Sequence, residues 1–104
     1  MTDKQKNNHI NEEAEEEMGL PADVFDYLRW TAGMLNAMAW QKLGLIVDPQ
    51  TGNAVKDLTQ AKVAIDTVAF IFEQLKSVMA DEERRAFEGA INDLRANFIQ
   101  QSGS

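Results

Sequence analysis

The sequence predicts an all-α fold, a three-helix unit with a C-terminal antiparallel helical hairpin, assembled into a homo-oligomeric bundle. Three observations carry this expectation. Apolar residues recur at intervals of three and four in three separate stretches. Residues with helix-start and helix-stop chemistry bracket those stretches. The connections between them are turn-rich or short, which sets consecutive helices antiparallel. With 104 residues, 44% of them hydrophobic and 26% charged, the chain is expected to make one water-soluble domain.

Residues 1–19 are polar, acidic and without a repeating apolar face. They are expected to form a disordered tail, in which the acids at 12–17 are a solvated charge run rather than a cation site. The helical domain is expected over residues 20–100, and residues 101–104 as a frayed end.

The first helix is expected over residues 22–43. Pro21 suits the first helical position, where no amide hydrogen is needed, and Asp23 and Asp26 favour the positive end of the helix dipole. Gly44 should end the helix as a left-handed cap, with Leu45 packing back on Trp40. A helical wheel gives this helix a main apolar face of Val24, Tyr27, Leu28, Thr31, Leu35, Met38 and Ala39.

The connection "IVDPQTGNAVK" at 46–56 holds strong turn chemistry in Asp48-Pro49-Gln50-Thr51-Gly52. Its flanks, Ile46-Val47 and Ala54-Val55, would pair at most as a marginal ribbon. The second helix is expected over residues 58–78, with Asp57 and Gln60 resembling a capping box. Its core face reads Ala61, Ala64, Ile65, Val68, Phe72, Leu75 and Met79, while Val63 and Phe70 fall away from it. The third helix is expected over residues 82–99, with Asp81, Glu82 and Glu83 at its start and a narrow stripe of Phe87, Ile91, Leu94 and Phe98. A turn centred between Ala80 and Asp81 puts Asp66 and Arg95 at one height on neighbouring helices, where they would form a structural ion pair.

Composition excludes several functions. The chain has no cysteine and one histidine, His9, so thiolate and multi-histidine metal sites are ruled out. The net charge is −7. Residues 1–20 carry six acids against two lysines, and residues 21–104 eleven acids against eight bases. Neither part has the basic field that nucleic acid or an anionic membrane requires. No secretory leader is read at the start, and the longest uncharged stretch, residues 30–41, falls short of the ~20 residues of a spanning helix. A cytoplasmic location is expected.

The chain from about residue 24 to residue 100 resembles the bacterial family called domain of unknown function 1844. The residues that carry this are Leu43-Gly44, the "DPQTGN" turn at 48–53, Asp57-Leu58, Ala61, Ile65-Asp66, Glu82-Glu83, Leu94-Arg95 and Phe98. The resemblance implies a small helical cytosolic protein and no chemistry. It also implies a threonine cap before the acids of the last helix, where this chain has Ala80.

No catalytic constellation emerges. There is no glycine-rich phosphate loop, dinucleotide fingerprint or zinc-protease motif. His9 lies in the tail, where nothing would hold it against a substrate. Ser77, Ser102 and Ser104 have no histidine in a structured element to activate them. Glu82 and Glu83 are adjacent on a helix and point about 100° apart, so they do not converge. The chain is expected not to be an enzyme, and to use no cofactor and no metal.

The informative anomaly is apolar. Trp30, Gly33, Ala37 and Trp40 recur on the side of the first helix that should be polar in a monomer. The first reading is an interface: a homodimer acting as an interaction or adaptor protein for another protein partner. The alternative is a small-molecule slot walled by the two tryptophans and floored by Gly33 and Ala37. A third possibility is that the 45–57 connection covers this face with Ile46, Val47 and Val55. Because residues 1–19 show no apolar periodicity, deleting them should leave helicity and melting temperature nearly unchanged. A fall of several degrees in a circular-dichroism melt would show instead that the tail packs on the helices.

Overall fold

The computed structural model describes residues 23–103. Among them, α1 spans Val24–Lys42, α2 Leu58–Leu75 and α3 Asp81–Ser102, and no strand occurs. The tail at 1–19 and Pro21 lie outside the described residues.

Helix α1 begins at Val24 rather than at residue 22 because Asp23 takes the cap. Its backbone is extended, and its carboxylate accepts the Asp26 amide at 2.8 Å. At the other end Gly44 is left-handed, with φ 79°. Its N–H donates to the Gln41 carbonyl at 3.0 Å, and the Leu45 N–H donates to Trp40 at 3.2 Å. These are the two bonds of a Schellman motif. The Leu45 side chain remains exposed rather than withdrawn into the core.

The loop is closed by one decisive contact. The Asp57 N–H donates to the Lys42 carbonyl at 2.7 Å, pinning the start of α2 beside the end of α1. The turn between them is built on Asp48, which accepts the Gly52 amide on its carbonyl and the Gln50 amide on its side chain, both at 2.8 Å. Residues 46–47 and 54–55 form no ribbon, and Ile46, Val47 and Val55 all stay exposed.

Asp57 caps α2 by accepting the Gln60 amide at 3.0 Å. The Gln60 side chain bonds the other carboxylate oxygen instead of closing a reciprocal box, because the Asp57 N–H is already committed to Lys42. The helix ends at Leu75, three residues before the expected Val78. There the chain tightens, with the Val78 N–H donating to Leu75. Helix α3 has Ala80 at its cap with no side-chain bond, and Asp81, Glu82 and Glu83 in its first turn complement the dipole. It continues to Ser102, past the expected end at Ile99, so residues 101–102 are helical rather than frayed.

All seven core residues expected on the second helix are buried. With Ile71 they form the spine on which the other two helices lie. Near the α2–α3 turn, Ala32, Val68, Ile71, Phe72, Leu75, Met79 and Ile91 cluster, flanked by Leu28, Leu35 and Phe87. The Phe72 and Phe87 rings meet at 5.3 Å between centroids. Near the α1–α2 loop, Ala39, Leu43, Ala61, Ala64, Ile65 and Leu94 cluster, flanked by Leu35, Trp40, Leu58 and Phe98. The order of these contacts makes α2 and α3 an antiparallel hairpin. Helix α1 runs antiparallel to α2 on its other side, in a closer and longer contact.

The wheel for α1 is corrected. Its inward residues are Leu28, Ala32, Leu35 and Ala39, continued by Leu43, whereas Val24, Tyr27 and Met38 face out. Because α1 is apolar almost all round, periodicity alone did not choose the face. The close approach of α2 did, by selecting alanines.

The two glycines Gly44 and Gly89 should respond oppositely to alanine. At Gly44 the positive φ disfavours any side chain, and a Cβ would stand 3.3 Å from the Cβ of Lys56. Gly44→Ala should cost about 1–2 kcal/mol in urea denaturation. At Gly89, within α3, a Cβ meets nothing within 4 Å, so Gly89→Ala should stabilise by about 0.5–1 kcal/mol.

Candidate interaction surface

The face that α1 turns to α2 takes its alanines with Leu28 and Leu35, and leaves several other bulky apolar side chains elsewhere. Tyr27, Trp30, Met34 and Met38 all lie on the outer side and are exposed, Trp30 at 41% and Met34 at 53%. Their spacing of three, four and four keeps them in one stripe. Tyr27 and Trp30 touch, with ring centroids 5.6 Å apart, so the indole is braced from one side. Ala37 is exposed beside them. No charged residue occurs from 30 to 41. The stripe continues onto α2 through a shallow groove of about 260 Å³, where Leu35 and Met38 face Val63, Ala64 and Thr67.

The four residues singled out from the sequence do not share one pocket. Trp30 and Ala37 are on the open face. Trp40 is half-buried against the cluster of Ala39 and Leu43. Gly33 lines a different groove, of about 320 Å³, between α1 and α3. Its walls are Arg29, Ala32 and Asn36 on one side and Glu83, Ala86, Phe87 and Ala90 on the other, with Val68 as floor. The exposed Ile46, Val47 and Val55 do not withdraw Trp30 from solvent.

This groove exists because α1 and α3 barely meet. One polar clamp joins their N-terminal turns. Arg29 donates through Nε to one Glu83 oxygen at 2.9 Å and through a terminal nitrogen to the other at 3.4 Å, and it also bonds Asp26 at 2.9 Å. The hydrogen bond with Glu83 is the main reason the Arg29 pKa is held above its ordinary value, so the clamp keeps its positive partner at any ordinary pH. Nothing in the sequence announced this pair, whose members are far apart in the chain. Asn36, at the other end of the groove, has an amide oxygen shielded from solvent that accepts no hydrogen bond.

Asp66 and Arg95 come together only in part. Both line a groove of about 510 Å³ between α2 and α3, which also takes in the exposed Phe70 with Glu73, Glu88 and Asn92. Their shared height is therefore as the turn geometry requires. The ion pair itself is not formed: Asp66 binds Lys62, one turn earlier on its own helix, at 2.7 Å. A partner on the same helix is reached with no dependence on helix spacing, which is why it wins. Among the described residues no group of three or more metal-ligating side chains occurs, and no helix is long and apolar enough to cross a membrane.

A family model described as Domain of unknown function (DUF1844) matches residues 31–100. No curated protein and no solved structure matches the chain.

The exposed Lys62–Asp66 pair should show a double-mutant coupling of about 0.3–0.5 kcal/mol in urea denaturation. The Asp66–Arg95 cycle should give a coupling near zero. A larger value for the second cycle would mean that Arg95 displaces Lys62 in solution.

Proposed function

This chain belongs to the family of the domain of unknown function DUF1844, and we propose that it is a non-enzymatic interaction module whose outer α1 face meets other protein, first of all a second copy of itself in a two-fold homodimer. The observation that carries this reading is the uncharged stripe of Tyr27, Trp30, Met34 and Met38, exposed on one side of one helix. Monomers rarely leave a contiguous apolar patch of this kind in water. A two-fold contact is the commonest closed arrangement for such a face. Gly33 and Ala37 lack bulk beside Trp30, which favours close approach of a second helix. On this reading the assembled module is a cytosolic bacterial adaptor for a further protein, with no cofactor or metal. A slot between the tryptophans has less support, since Trp40 turns toward the cluster beneath α1 while Trp30 faces out.

Light scattering at tens of micromolar should give twice the chain mass of 11.7 kDa. Gly33→Leu should shift the protein to monomer with its helicity intact, because a Cβ at Gly33 meets nothing within 4 Å inside one chain. Trp30→Asp should act in the same direction by placing a charge on the stripe. A wild type that is monomeric under these conditions overturns the homodimer.

A further inference from the structure

We propose that the α2/α3 groove docks one amphipathic helix of a partner protein, carrying an acidic residue, two apolar residues three and four positions later, and a basic residue at the seventh. The inference rests on the reading of the chain as an adaptor for a further protein, and not on the homodimer. It adds where that protein docks and what chemistry its helix presents.

Phe70 supplies the apolar part of the argument. It is 64% exposed at a groove of about 510 Å³, which is lined beneath it by Ala69 and by the buried Phe72 and Ile91. No residue of α1 lines this groove, so the hairpin alone builds it. A helix laid along it, with two apolar side chains turned inward, would take Phe70 and that lining out of water.

The charges along the groove set what flanks those apolar residues. Its charged side chains are Asp66, Glu73, Glu88 and Arg95. Asp66 pairs with Lys62 and Glu73 with Lys76, each on its own helix and each at 2.7 Å. Glu88 and Arg95 form no ion pair among the described residues. Both are exposed, and with Asn92 between them they share one face of α3. Their separation of seven residues is two turns, about 10 Å of helix. A helix lying beside α3 therefore meets both when it carries a base and an acid at the same separation, the base at Glu88 and the acid at Arg95. Its direction follows from the helix dipole, which favours an acid toward the N-terminus and a base toward the C-terminus. The occupant thus starts at Arg95 and runs antiparallel to α3. A second α3 laid antiparallel would also bring Arg95 to Glu88. It would set Asn92 over the groove instead of an apolar pair, so a different chain fits better.

The probe is a synthetic alanine-based helix with glutamate, two leucines and lysine at that spacing, compared with a twin in which glutamate and lysine are exchanged. Added to the isotope-labelled full chain, the first peptide should shift the amide resonances of residues 66–73 and 88–95. It should bind at least about fivefold more tightly than the twin, and the difference should shrink at high salt. Glu88→Arg combined with Arg95→Glu should invert the preference. Phe70→Ala, at an exposed position that the core does not need, should weaken both peptides several-fold. Light scattering should give every variant the wild-type mass. Equal binding of the two peptides, shifts confined to α1, no shift at millimolar peptide, or a preference that survives the paired reversal overturns the docking site and leaves the homodimer standing. A fall in mass on the paired reversal or on Phe70→Ala makes the groove a contact between copies and overturns it as well. A wild type that is monomeric yet shows the preference loses the homodimer and keeps the docking site.

Discussion

Ala32 and Ala39 are the residues of α1 that are fully shielded, and they lie against α2 at two successive heights. Opposite them stand Ala61 and Ala64 at one level and Val68 and Ile71 at the next. Small side chains on both helices at the first level, and on α1 at the second, let the two helices come close, and the rest of the structure follows from that approach. The loop needs only to join two ends already side by side, which the Asp57-to-Lys42 bond does. Leu28 and Leu35 flank the alanines on the inward face, while Tyr27, Trp30, Met34 and Met38 stand outside it. A helix that packs through alanine buries little area per residue. The larger apolar contributions to the core come instead from Leu43, Leu75, Leu94 and Val68, the largest of the fully buried side chains.

Helix α3 is held differently. Apart from alanines and the exposed Ile99, its apolar side chains are Phe87, Ile91, Leu94 and Phe98, and that narrow stripe packs on the core of α2. Toward α1 it presents mainly the small Ala86 and Ala90 with the edge of Phe87, and the Arg29–Glu83 clamp bridges the two at one end only. The result is a three-helix unit in which both neighbours of α2 are well seated and the third contact is incomplete. The open groove floored by Val68 is the direct consequence of that arithmetic of faces.

Much of this was legible in the sequence. The cap at Asp57, the left-handed Gly44, the turn at Asp48 and the whole core face of α2 are local chemistry or clean periodicity, and each is found where the residues place it. The inward face of α1 was not legible, because weighing residues by hydrophobic size favours Tyr27 and Met38 over Ala32. The preference for alanine is set by how near a second helix comes, which no single stretch encodes. The Asp66–Arg95 pairing failed for a related reason: the height was right, but a lysine one turn away on the same helix competes without needing the hairpin at all. Of the candidate surface, the stripe was visible as surplus apolar residues. The α1/α3 groove and the unpaired Asn36 depend on distances between helices and were not.

The features that make α1 a poor core helix are consistent with one another as features of a contact helix. An acidic chain resists indiscriminate clustering, since most approaches of two copies oppose like charge. Only an uncharged face escapes that repulsion, and the longest uncharged stretch in the chain, residues 30–41, includes the exposed Trp30, Met34 and Met38 of α1. The same helix presents Asn36 to an incomplete groove. A buried acceptor left without a donor costs about 1–3 kcal/mol, a cost that an apolar residue at this position would avoid. An exposed apolar stripe and an absence of charge on one helix both fit the reading of α1 as a contact helix.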